Sequence, residues 1–198
     1  MTEENKLATL DNQYLKDKLS LGTEDVEMED IPTPVLLLTQ DISKVVDAQG
    51  QKIPSGKLYY SGTGEVFDEL EVTLLILTKK DTPDFQTKQP TRTHIYLGQI
   101  NNGLKPFLLY FKNTGLFASR EFLGKQRAMR VPMFCLNVKL VPEQTSFEKN
   151  TWFKLRFQIL GVKETMEEVA ILEELINEYK PKVAHEIEAQ ENAQELNK

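Results

Sequence analysis

Thr151-Trp152-Phe153-Lys154-Leu155-Arg156-Phe157-Gln158-Ile159-Leu160 alternates apolar and polar side chains along its length. Successive side chains on a β-strand point to opposite faces, so this run predicts a strand with Phe153, Leu155, Phe157 and Ile159 in the core. Trp152, Lys154, Arg156 and Gln158 then share the other face, an indole beside two cations and an amide. Residues 131–141 repeat the pattern and read as the hairpin partner. Phe134, Leu136, Val138 and Leu140 face inward there, leaving Met133, Cys135, Asn137 and Lys139 opposite.

Upstream, residues 70–79, 93–100 and 107–112 are further strand-like runs. Asn101-Asn102-Gly103 joins the last two with residues that tolerate positive φ, a hairpin signal. Phe107, Leu109 and Phe111 alternate with Leu108, Tyr110 and Lys112. Ile95 and Leu97 alternate with Arg92, His94 and Tyr96, which are expected outward. Over residues 116–128 the spacing of Leu116, Phe117, Phe122 and Leu123 predicts a helix of about three turns despite Gly124. Residues 70–160 therefore read β-β-β-α-β-β, the order of an OB-fold. The expected fold is mostly β: an OB-fold-like five-stranded barrel with a helix between strands 3 and 4, plus N-terminal strands and a C-terminal helix. An α+β sheet packed by two helices is the rival architecture.

The flanks complete the layout. Residues 1–30 are polar, with five acids in the seven positions 24–30, and read as an acidic flexible arm. Pro32 and Pro34 punctuate the entry to Val35-Leu36-Leu37-Leu38, a first strand. A short strand over 57–60 sits among the breakers Gly50, Pro54, Gly56, Gly62 and Gly64. The OB-like domain is expected over 31–162. Residues 163–181 hold an amphipathic helix with Met166, Val169, Ala170, Leu172, Leu175, Ile176 and Tyr179 on one face, ending before Pro181. A flexible acidic tail is expected over 182–198.

Charge is segregated along the chain. The total is −6, but residues 1–73, 74–163 and 164–198 carry −9, +10 and −7. A basic middle between acidic ends points to a polyanionic partner. The longest apolar stretch, residues 72–77, is interrupted by Thr73 and falls far short of the ~20 residues of a membrane span. One cysteine, Cys135, and two histidines, His94 and His185, form neither an intramolecular disulfide nor a convincing metal cluster. A cytoplasmic protein without metal or other cofactor is the expectation. Enzyme signatures are absent from the sequence: Ser61-Gly62-Thr63-Gly64 lacks the Gly-Lys-Ser/Thr of a phosphate loop, and Asp68-Glu69-Leu70-Glu71 has no histidine partner.

The outward strand residues recur as an aromatic plus a cation. Unpaired bases stack on flat rings at ~1–3 kcal/mol each, while Lys and Arg track phosphates. The candidate nucleic-acid-binding set is Tyr96, Tyr110 and Trp152 with Arg92, Lys112, Lys139, Lys154 and Arg156. Arg120, Lys125, Arg127 and Arg130 extend it from the helix and its exit.

This layout over residues 31–162 resembles phage-type single-stranded-DNA-binding proteins with an OB-fold. The resemblance implies a non-enzymatic protein that coats single-stranded DNA in replication or recombination with little sequence preference. It also implies contacts of the acidic ends with replication or recombination proteins, although the tail lacks the aspartate run ending in Pro-Phe of bacterial homologues. A homo-oligomer is compatible with such a role, and no membrane is involved. The alternative function is a protein-interaction adaptor of a replication or virion assembly. A small nuclease or other metal enzyme is the least favoured.

Overall fold

A computed structural model describes residues 33–47, 50–83, 89–101, 105–147, 150–163 and 165–195. The arm expected over 1–30 and the turn over 102–104 lie outside them. Five strands, β4 (Leu70–Pro83), β5 (Pro90–Ile100), β6 (Lys105–Lys112), β7 (Leu136–Phe147) and β8 (Asn150–Val162), form one antiparallel sheet in the order β6-β5-β4-β7-β8. Helix α1 (Gly115–Met129) lies between β6 and β7, and α2 (Met166–Glu195) follows β8. Three short strands, β1 (Leu36–Leu38), β2 (Leu58–Tyr60) and β3 (Glu65–Phe67), make a second antiparallel sheet.

Both faces of β4 to β6 are covered, which decides the site. On the α1 face, Tyr96, Phe107, Phe111, Phe122 and Phe157 pack with Val72, Leu74, Val138 and Leu140. The five rings include an edge-on Tyr96–Phe111 pair at 5.6 Å and a stacked Phe122–Phe157 pair at 4.7 Å. On the opposite face, Leu75, Ile95, Leu97 and Leu108 meet Leu172 of α2, with Leu175, Ile176 and Tyr179 around them. The two cores are separated by the thickness of one pleated sheet.

A bulge in β4 sets which side chains reach each face. Leu74 pairs with Gly98 and Ile76 with Leu97, so Leu75 is the extra residue. One inserted residue reverses the alternation beyond it. Before the bulge Leu70, Val72 and Leu74 face α1; beyond it Leu77, Lys79 and Asp81 do, opposite Tyr96, His94 and Arg92. Gly98 is required at this point, because a Cβ there would lie 2.7 Å from the Phe107 ring and 2.9 Å from the Thr73 carbonyl oxygen.

The sequence reading is corrected in three places. The five-stranded sheet is open, with β6 and β8 as its edges, so the barrel is not closed. Residues 34–40 bridge those edges: the Leu108 N–H donates to the Pro34 carbonyl at 2.8 Å, and the Gln40 amide exchanges two hydrogen bonds with the Phe153 backbone at 2.7 and 2.9 Å. Second, the strand expected from residue 131 begins at Leu136, after a 3-10 turn, Met133–Cys135. That turn buries Cys135 and directs Phe134 toward the α2 core, against the alternation assumed for them. Third, α2 does not stop before Pro181 but continues through it to Glu195. A proline removes one helical N–H, yet the Glu-, Ala- and Gln-rich residues beyond it are favourable helix formers.

Candidate nucleic-acid interface

Trp152, Lys154, Arg156 and Gln158 do share a face of β8, as the alternation requires, but its charge is compensated. Arg156 Nε lies 2.5 Å from Glu143 Oε1 on β7, and Lys154 Nζ lies 3.8 Å from Glu143 Oε2. Lys139 Nζ donates to Glu69 at 2.6 Å and lies 3.9 Å from Glu71. That hydrogen bond to Glu69 is the main cause holding the Lys139 ammonium above its ordinary pKa. Trp152 is half-buried, so one part of its indole reaches solvent. Lys125 is bonded to Glu121 one turn earlier at 2.6 Å, which draws the Glu121 carboxyl below its usual range. Exposed pairs of this kind contribute little to stability, but they reduce the charge a polyanion meets.

The aromatic set is divided. Tyr110 and Lys112 are half-buried; Tyr110 packs against the core beneath α2, and both join Lys154 in lining a cavity of about 250 Å³ between β1, β6 and β8. Tyr96 is overturned as a stacking residue: it is fully buried, because α1 covers the face on which an outward ring was expected. Its phenolic oxygen lies 2.6 Å from Ser119 Oγ, and burial pushes its pKa up to about 12.

Among the described residues, cations without an ion pair converge elsewhere, at a cleft of about 360 Å³ between the α1 face of the sheet and α1. Lys79 enters from β4, Arg92 from β5, and Arg120 and Arg127 from α1. Arg120 and Arg127 stand seven residues apart, two turns on one helical face. Asp81 lies 3.4 Å from Arg92; among the described residues, Lys79, Arg120 and Arg127 have no ion pair. Gly124 opens the helical wall, for a Cβ there would meet nothing within 4 Å. Arg130 follows at the helix exit, exposed and in the left-handed region at φ 56.

His94 lies in the floor of this cleft and is only 4% exposed. Burial foremost, then the charges of Lys79, Arg120 and Arg92, holds its imidazole below the ordinary pKa. Its Nδ1 lies 2.7 Å from Ser119 Oγ, the same oxygen that Tyr96 contacts. Ser119 has one proton to donate and Tyr96 has one. The arrangement that uses both runs from Tyr96 O–H to Ser119 Oγ and from Ser119 O–H to His94 Nδ1. The neutral imidazole then carries its proton on Nε2, a donor for whatever enters the cleft.

No family model, curated protein or solved structure matches this chain.

The geometry thus joins Arg92, Arg120 and Arg127 of the expected set and separates them from Lys139, Lys154 and Arg156. Lys79, His94 and Ser119 were missed. Plain alternation from Leu70 puts Lys79 on the wrong face; the bulge beside Gly98 moves it into the cleft, and an isolated strand glycine is the one local signal of that shift. A cavity of about 340 Å³ on the opposite face, between the sheet and α2, serves as a contrast. Gln99, Asn101 and Asn137 line it with Lys163 and Glu168, a balanced polar set unsuited to a polyanion. Among the described residues no helix is long and apolar enough to cross a membrane.

Proposed function

We propose that the chain is a non-enzymatic protein that binds single-stranded DNA with little sequence preference, in replication or recombination, as the phage-type proteins it resembles do. The observation that carries the reading is the cleft where Lys79, Arg92, Arg120 and Arg127 meet with one paired carboxylate between them. Cations clustered at a cleft attract phosphates and release counterions regardless of sequence. The half-exposed Trp152 supplies a ring on which a base can stack. The open sheet is compatible with an OB-like module, itself a partly open five-stranded barrel, in which residues 34–40 occupy the seam between β6 and β8. No cofactor enters this reading, and replication or recombination proteins are proposed partners of the acidic ends.

A mobility-shift titration with poly-dT and with duplex DNA at rising salt tests it. Preference for the single strand, fading steeply with salt, is expected. Absence of any shift at low salt would overturn it in favour of the adaptor, and Mg²⁺-dependent cleavage of labelled DNA in favour of a nuclease.

A further inference from the structure

We infer that the cleft takes a phosphate monoester, carried by a strand end or a free nucleotide, in preference to the diester phosphates of a strand interior. The inference rests on the nucleic-acid reading above only for the source of the phosphate; the site itself is defined by its charge and shape.

Charge matching comes first. Four cations line one cavity of about 360 Å³ and Asp81 is paired to one of them at 3.4 Å, so about three positive charges face a single small space. A diester brings one negative charge, whereas a monoester brings roughly −1.5 to −2 at neutral pH and a third terminal oxygen to accept hydrogen bonds. The cations converge from β4, β5 and α1 on one space, so several of them can reach the terminal oxygens of a single phosphate. At about 360 Å³ the space lies near the small end of ligand cavities, roughly 300–1,000 Å³.

His94 is 4% exposed, and with Nδ1 occupied by Ser119 its Nε2–H is the ring donor left for a ligand oxygen. Arg120, Arg127 and Arg92 can bind the remaining oxygens, Arg being suited to paired N–H···O contacts with phosphate. Gly124 sits inside α1, where glycine is a poorer helix former than alanine. A Cβ there would meet nothing within 4 Å among the described residues, and Gly124 lines the cavity, so a side chain placed there has room to enter it.

The test uses the full chain and three oligo-dT probes of roughly a dozen nucleotides, carrying a 5′-phosphate, a 3′-phosphate or neither. Gly124→Leu is the cleft-filling variant, since it projects a side chain into the cavity while improving helix propensity. At neutral pH the phosphorylated end is expected to tighten binding at least about tenfold, from the extra charge beside Arg120 and Arg127. Gly124→Leu removes the preference without lowering the melting temperature, and His94→Gln reduces it. Competition by thymidine monophosphate, but not thymidine, assigns the site to free nucleotides as well; its failure restricts the site to strand ends. Equal affinity for all three oligonucleotides, with no rise in melting temperature on adding inorganic phosphate, overturns the inference and leaves single-strand binding standing. Stabilisation by inorganic phosphate and thymidine monophosphate without binding of any oligonucleotide retains the monoester site and overturns the nucleic-acid reading.

Discussion

Ser119→Ala is the sharpest probe of the network beneath the cleft. Ser119 Oγ lies 2.7 Å from His94 Nδ1 and 2.6 Å from Tyr96 Oη, and all three residues are buried. Removing it strands a phenol and an imidazole nitrogen with no other hydrogen bond. An unsatisfied buried polar group costs ~1–3 kcal/mol, so the substitution should cost about 2–4 kcal/mol in total. For a protein of this length that is a melting-temperature loss of about 5–15 °C. Tyr96→Phe removes the phenol but keeps the Ser119–His94 bond and should cost only about 1 kcal/mol. In the double variant no phenol remains to be stranded, so the costs should fall short of additivity by about 1 kcal/mol. Urea denaturation of wild type, both single variants and the double variant measures all four terms. A Ser119→Ala cost below about 0.5 kcal/mol, or strict additivity, would refute the chain of hydrogen bonds from which the His94 tautomer is deduced.

Other outcomes follow from the same geometry. His94 has a folded-state pKa below its unfolded value, so its contribution to stability is complete above about pH 6.5 and is lost as pH falls below it; denaturation at stepped pH, with His94→Gln as reference, should show that loss. A flat profile down to about pH 5 would contradict it. Tyr96 behaves oppositely: its raised pKa keeps stability full below about pH 10, with a decline as pH rises toward about 12, absent in Tyr96→Phe. Glu143→Gln frees Lys154 and Arg156 and should tighten oligo-dT binding at low salt, the gain vanishing at high salt; an unchanged affinity would place that face away from the ligand.

Much of the fold was legible because the core-facing alternation is strong. Leu155, Phe157 and Ile159 in β8, and Leu136, Val138 and Leu140 in β7, needed only the period of two, and α1 was readable despite Gly124; Phe153, expected with them, is half-buried over Gly56 and lies outside that core. What failed depended on contacts distant in sequence. Tyr96 reads as outward because Ile95 and Leu97 are apolar, yet β5 is buried on both sides and Tyr96 belongs to the larger core. Alternation distinguishes two faces but not which of them, or whether both, will be covered. The site was half legible: Arg120 and Arg127 share a helical face at any register, whereas Lys79 reaches them only through the β4 bulge. The charge of Lys154 and Arg156 was visible, and its compensation by Glu143 depended on the β7–β8 register.

That division gives the most direct measurement of the central claim, the salt dependence of oligo-dT binding in two charge-removal variants. Each phosphate neutralised on a single strand contributes about −0.7 to the slope of log affinity against log salt. Replacing Lys79, Arg120 and Arg127 together by Gln removes three cations with no ion pair among the described residues, and should flatten the slope by at least about 0.7, one phosphate, and by up to about 2 if each cation meets its own. Replacing Lys154 and Arg156 by Gln removes charges that already share Glu143, and should change it by less than about 0.7. A slope unmoved by the first replacement and flattened by the second would contradict the cleft as the nucleic-acid site and return that role to the β8 face.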